Sequence, residues 1–280
     1  MSPDLRVRGT DPTTGEPVDL AVSGGRIVDG AAAEAVTVTG FVVPGFVDAH
    51  CHVGYSPHGP ATPAEAEQQA LANLRAGALA LRDCGSPVDT RELVDRDDLP
   101  VLIRSGRHVA FVKRYIRDLG VDLDDPADLP AEVARQIAYG SGQWVKIVGD
   151  WIDRDIGDLA PLWPDDVVAR AVAVAHAAGC RVTTHVFGED ALPGLLAAGV
   201  DCIEHGRIAD EVIALGQVLG MRRALAAAAH EARQWLGVPG TEVGDPADLV
   251  VFDEDPTQDP TVLKRPALII RAGRVVRGQL

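Results

Sequence analysis

The run Pro44-Gly45-Phe46-Val47-Asp48-Ala49-His50-Cys51-His52-Val53-Gly54-Tyr55 is the point from which this 280-residue chain becomes readable. A Pro-Gly turn opens it, a short apolar run follows, and two histidines close it, the pattern of a buried strand that delivers side chains to a site. Successive strand residues point to opposite faces, so His50 and His52 emerge together and Cys51 points away. Two imidazoles side by side on one strand end suit a divalent cation such as zinc. A chance pair of loop histidines is the other reading, and the rest of the chain decides between them.

With 46% hydrophobic residues the chain can bury a large core, enough for one α/β domain and a smaller companion. Its formal net charge of -15 argues against nucleic acid or an anionic membrane as a partner and leaves a small uncharged or cationic substrate. Cys51, Cys84, Cys180 and Cys202 are widely spaced with no C-x-x-C, which disfavours a zinc knuckle or a disulfide scaffold. No basic-then-apolar segment opens the chain, and no run approaches the roughly 18 apolar residues of a membrane span. A cytoplasmic, reducing setting is the expectation.

Outward from the His-x-His run, the two ends of the chain share one pattern. Leu5 to Arg8, Val18 to Val22, Arg26 to Val28, Val36 to Val38 and Phe41 to Val43 are short β-like runs separated by turn residues such as Gly24-Gly25, as in an antiparallel sheet. Ala247 to Phe252, Ala267 to Arg271 and Arg274 to Val276 have the same character. Residues 1–44 and 240–280 are therefore expected to pair into one composite β-sandwich domain. Residues 45–239 alternate strand with helix, which favours a parallel sheet covered by helices. Thr62-Pro63-Ala64-Glu65 is a capping box that starts a helix ending near Arg75 and Gly77. After the strand at Phe46, further strands are predicted at 78–82, 101–104, 144–148, 181–184 and 200–204, six in all. Helices are predicted at 131–138, 164–178, 191–198, 209–219 and 221–236.

Candidate ligands sit at or near the ends of four of these strands: His50 and His52, Lys146, His185 and His205. Strand ends that converge on one mouth are what a TIM-like (β/α) barrel offers. Lys146 lies inside the apolar run Trp144 to Val148, so its ammonium must be neutralised, paired or modified, unless it snorkels to solvent. Carboxylation of its amine would turn it into a carbamate able to bridge two cations. His176 and His230 fall within helical runs and are assigned to packing or surface, and His58 to a loop. His108, just past the third strand, reaches toward the mouth and joins Tyr55 and Trp151 as a candidate substrate contact.

With these residues in place, the sequence resembles the amidohydrolase superfamily, in its imidazolonepropionase-like and prolidase-like branch. The matching pieces are Pro44 to His52, Val145 to Ile147, Thr183 to His185, Ile203 to Gly206 and Asp245 to Asp253, in order over nearly the whole chain. The resemblance implies that His50 and His52 hold one zinc, that a carboxylated Lys146 bridges, and that His185 and His205 hold a second. The same ligands accept manganese, iron or nickel. It further implies a metal-bound hydroxide that attacks an amide, cyclic amide or dipeptide-like C–N bond of a small molecule.

The departure from the pattern is as informative. Family members carry an aspartate at the end of strand eight, often in Gly-Thr-Asp, and the only Gly-Thr-Asp here is Gly9-Thr10-Asp11, ahead of the barrel. Asp201 lies four residues before His205, roughly 13 Å along a strand, too far for a co-ligand. Asp210 is assigned as a helix cap. The catalytic proton carrier is therefore unassigned. Six strands in place of eight correspond to a loss of roughly 60 residues, and His205-Gly206 is where strands seven and eight are expected to be missing. The barrel is expected to be incomplete, its open edges inviting a homo-oligomer. Two functions follow: a metal-dependent amidohydrolase, or a catalytically impaired relative that acts as a metal-binding or assembly protein.

Overall fold

The computed structural model describes residues 3–30, 34–204, 212–213, 216–217 and 219–279. His205 and Asp210 lie outside these residues, as does most of the helix expected at 209–219.

Four strands open the chain: β1 (Leu5–Thr10), β2 (Pro17–Ser23), β3 (Arg26–Val28) and β4 (Val36–Pro44). β1 pairs antiparallel with β2, as the turn signals indicate, but parallel with β4, because the β2–β3 hairpin carries the chain across before β4 returns. That β1–β4 ladder sets Gly9 opposite Gly40. The strands approach so closely there that a Cβ on Gly9 would lie 1.7 Å from the Gly40 carbonyl oxygen.

The chain then enters β5 (Phe46–Cys51), a small hairpin of β6 (Tyr55–Ser56) and β7 (Gly59–Pro60), and helix α1 (Pro63–Arg75). The capping box forms as expected: the Thr62 hydroxyl accepts from Glu65 N–H, and the Glu65 carboxylate accepts from Thr62 N–H. Ala66, Ala70 and Leu74, spaced by one helical turn, are the buried face. Next come β8 (Ala78–Asp83), β9 (Val101–Arg104), β10 (His108–Phe111) and β11 (Gly120–Leu123). α2 (Leu129–Tyr139), β12 (Trp144–Val148), the hairpin β13 (Asp150–Asp153) and β14 (Asp158–Pro161), and α3 (Asp165–Ala177) follow, then β15 (Arg181–His185), α4 (Leu192–Ala198) and β16 (Cys202–Glu204). β11 and the β13–β14 hairpin were not expected from the pattern, since polar residues interrupt both.

The parallel strands fall into two sheets, β5-β8-β9 and β11-β10-β12-β15-β16. The third expected strand, 101–104, is β9 and pairs with β8 in the first sheet; after a jog at residues 105–107 an unexpected strand, β10, pairs with β12 in the second. Gly106, at φ 76, makes that jog in a conformation other residues avoid, and its carbonyl accepts from Ser86 N–H. Among the described residues no ladder joins β16 to β5.

Where one helix was expected over 221–236 there are two, α5 (Met221–Ala226) and α6 (Ala232–Leu236), joined by a π-helical turn at residues 227–231. Leu236 and Val238 pack with Val47, Ala80, Ile103 and Trp144, so this segment helps form the core between the parallel strands. The chain ends in β17 (Leu249–Phe252), β18 (Leu268–Arg271) and β19 (Arg274–Arg277). Strands from both ends merge into one seven-stranded sheet, in the order β19-β18-β17-β4-β1-β2-β3. Just before β17, buried Asp248 accepts from Arg271 at 3.0 Å, from Arg233 at 3.3 Å and from Ala272 N–H at 2.8 Å. Arg233 also donates to the Gly45 carbonyl at 2.9 Å, tying α6 to the start of β5. Among the described residues no helix is long and apolar enough to cross a membrane.

Candidate metal and active site

The His-x-His run is less regular than alternation alone demands. The β5–β8 register shifts between Asp48 and Cys51, and His50 N–H donates to the Asp48 carboxylate at 3.0 Å. The two rings still meet edge to face, 5.2 Å apart. His52 Nδ1 lies 3.1 Å from the Gly85 carbonyl. A carbonyl only accepts, so this nitrogen carries the proton and the tautomer is set.

From His52 a series of rings runs across the strand ends. His108, from β10, is 4.9 Å from His52 and 5.3 Å from Tyr115. Tyr115 is 5.3 Å from His185 and 4.9 Å from Trp151, which is itself 5.3 Å from His185. His108 is fully buried, and neither of its ring nitrogens makes a hydrogen bond among the described residues. Burial first, then the charges of His52, Lys146, His185 and His50, hold its pKa well below the usual imidazole range, so it is neutral at physiological pH. Gly85 permits this placement, since a Cβ there would lie 2.5 Å from His108 Nδ1.

Lys146, on β12, is buried and pairs with the carboxylate of Glu204 on β16. Glu204 is the hub of the interior. Its Oε1 accepts from Cys84 Sγ at 2.9 Å and from the Thr183 hydroxyl, and pairs with Arg82 at 3.0 Å. Its Oε2 lies 3.4 Å from His50 Nε2. Burial alone would raise the Glu204 pKa, but the charges of Lys146, Arg82 and His50 outweigh it and bring the group down to about 2. Arg82 is fixed in turn by the Ala49 carbonyl at 2.7 Å and by the Trp144 ring 4.3 Å from its guanidinium carbon. His50, Cys84 and Glu204 bring donor atoms within 4.8 Å of one another.

Of the residues singled out in the sequence, His50, His52, Lys146, His185, His108 and Trp151 therefore converge on this interior and its rim. Tyr55 lies on the β6–β7 hairpin, its carbonyl bound by Gln69 at 2.8 Å. Of the three aspartates set aside in the sequence, Asp210 lies outside the described residues and the other two are engaged elsewhere: Asp201 with His176 and Val182 N–H, Asp11 with His230.

Arg82, Cys84, Tyr115 and Glu204 were missed. The argument applied to Lys146, a charge inside a short apolar strand, finds Arg82 in Ala78–Asp83 and Glu204 in Cys202–Glu204 as well. Tyr115 had no such signal, because it sits in a polar loop and is half-buried only through ring contacts with residues distant in sequence.

No protein-family model matches the chain. Its fold is shared with solved structures described as prolidases, a Xaa-Pro dipeptidase and an amidohydrolase. A prolidase complexed with N-methylphosphonate-L-proline superposes with a TM-score of 0.79 at 18% identity, covering 99% of this chain and 100% of that one. A Xaa-Pro dipeptidase with bound methionine gives 0.75 at 16% identity, covering 99% and 100%. In sequence the chain is 43% identical to an uncharacterized protein of Mycobacterium tuberculosis, over 96% of this chain and 95% of the relative, and equally so to one of Mycobacterium bovis. The chain belongs to the same family as these mycobacterial proteins. The alignment is 353 positions long against the chain's 280 residues, a difference of 73, so at least that many positions are occupied by the relatives alone.

Proposed function

We propose that the chain is an amidohydrolase of the prolidase-like branch, which hydrolyses a C–N bond of a small amide, cyclic amide or dipeptide-like molecule with the help of a divalent cation. The observation that carries this reading is the gathering of His50, His52, His108 and His185 with Lys146 around one buried interior. A neutral, buried His108 whose nitrogens have no hydrogen-bond partner among the described residues, beside a His52 with its tautomer set from outside, is a donor chemistry that fits a metal ion. His50, His52 and His185, with His205, would hold it, and Lys146 would join them as its carbamate. As an ammonium Lys146 instead serves as the counter-ion of Glu204. The bound cation, zinc in first place and manganese, iron or nickel by the same ligands, supplies Lewis-acid polarisation of the scissile carbonyl.

The protein's own contribution is orientation and exclusion of water. Gly85 fixes the His52 ring, and Tyr115 and Trp151 wall off His185. Trp151, His108 and Tyr55 are proposed to contact the substrate. Residues 1–44 and 240–280 are proposed to form the companion domain and residues 45–239 a TIM-like barrel without its last two strands. The 73 or more positions found only in the relatives, and the absence of a β16–β5 ladder among the described residues, support that loss. Among the described residues β16 ends its sheet and carries an exposed Ile203, which supports association with a second copy. The four free cysteines support a cytoplasmic, reducing location.

The same missing positions favour a second reading, in which the fold persists as a metal-binding or assembly protein without turnover. One experiment separates the two: metal content per chain, after purification with zinc and bicarbonate, together with hydrolysis of a panel of Xaa-Pro dipeptides and N-acyl amino acids. Retained metal with chelator-sensitive hydrolysis, lost when His50 and His185 are both replaced by alanine, is the expected result. Metal without turnover selects the second reading. Hydrolysis that survives the double replacement removes the metal from the mechanism.

A further inference from the structure

We propose that His50, Cys84 and Glu204 form a zinc site with one imidazole, one thiolate and one carboxylate as ligands. This rests on the metal-dependent reading and deepens it by naming a ligand set that the His-x-His pattern does not contain.

The geometry comes first. Donors bound tetrahedrally to zinc at 2.0–2.3 Å lie roughly 3.3–3.8 Å from one another. His50 Nε2 and Glu204 Oε2 are 3.4 Å apart, too long for a strong charge-assisted hydrogen bond but matched to one edge of that tetrahedron. Cys84 Sγ is 2.9 Å from Glu204 Oε1, close enough that a small opening brings it to the same spacing. All three donor atoms lie within 4.8 Å of one another. They arrive on three different strands or strand ends, β5, β8 and β16, so their convergence belongs to the fold and not to one local turn.

Charge comes second. Cys84 and Glu204 are buried together with the cations Lys146 and Arg82. On binding, the Sγ–H bond breaks heterolytically: the proton goes to solvent and the electron pair stays on sulfur, which donates it to the cation as a thiolate ligand. Thiolate and carboxylate then match the two charges of the ion, and Lys146, as the carbamate proposed above, balances Arg82. Arg82 keeps its contact at Oε1, and the ion takes the place of the Lys146 contact at Oε2. Glu204 is also the one carboxylate among the described residues that faces His50 at this distance, so it supplies from β16 the acidic ligand for which no strand-eight aspartate was found. A thiolate ligand predicts a soft-metal preference, zinc or cobalt over magnesium.

The test uses the full chain loaded with cobalt(II) in place of zinc. Thiolate ligation gives a cysteine-to-cobalt charge-transfer band in the near ultraviolet that imidazole and carboxylate ligands do not. The band is expected in the wild-type protein and in Cys51→Ser, to fall to baseline in Cys84→Ser, and to need at least about tenfold more cobalt in Glu204→Gln. Cobalt bound stoichiometrically without the band, or a band that survives Cys84→Ser, overturns the assignment while leaving the metal-dependent reading intact. Failure to bind cobalt at all overturns both.

Discussion

Replacing Glu204 by glutamine keeps the shape of the side chain but removes the negative charge that Lys146 and Arg82 share, both buried and with no other carboxylate partner among the described residues. The cost can be worked from two directions. A carboxyl whose pKa falls from 4.5 to about 2 on folding contributes about 3 kcal/mol of stability at neutral pH. Removing one partner of a buried ion pair costs about 3–5 kcal/mol in general, so the two agree. The sign with pH follows from the depressed pKa: the contribution is complete above 4.5 and is lost as pH falls through about 2. It is about half gone near pH 3. Because glutamine mimics the protonated acid, the difference between wild type and Glu204→Gln should narrow over the same interval. Urea unfolding of chelator-treated protein at several pH values measures it directly. A difference under about 1 kcal/mol at neutral pH, or one that stays constant down to about pH 3, would refute the hub role assigned to Glu204.

Three other outcomes are expected. Asp248→Ala strands Arg233 and Arg271; at about 3–5 kcal/mol it should lower Tm by roughly 10 °C in a calorimetric scan, and an unchanged Tm would contradict the tie between β17 and the start of β5. His108→Phe relieves a buried imidazole with no hydrogen-bond partner among the described residues, so Tm should hold or rise while KM for any hydrolysed substrate increases, which steady-state kinetics on the same preparation would show. Gly9→Val should leave the protein largely insoluble or unfolded by circular dichroism, because any Cβ there meets the Gly40 carbonyl.

Much of this molecule follows from local pattern. The capping box at Thr62, the apolar strand runs ending at His185 and at Glu204, and the matched β-like runs at the two ends each depend on residues close in sequence, and each takes the form that its periodicity indicates. Strands beyond those expected form where polar residues interrupt the pattern, as at β11 and the β13–β14 hairpin, and beyond the jog at Gly106, where β10 begins. For the site, the sequence could nominate His50, His52, Lys146 and His185, because histidines at strand ends and a lysine in an apolar run are anomalies visible without a fold. It could not say what Lys146 meets. Its partner is 58 residues away, and whether its charge is balanced by Glu204, a carbamate or solvent depends on which strand lies opposite. Nor could it join Cys84 to Glu204 or carry Tyr115 to His185, since those contacts are set by strand register and loop closure across more than 50 residues. Residue type and spacing determined which groups were available for chemistry. Only the packing of β5, β8, β12 and β16 around one interior determined which of them touch, because the cost of burying a charge is settled by its neighbours in space.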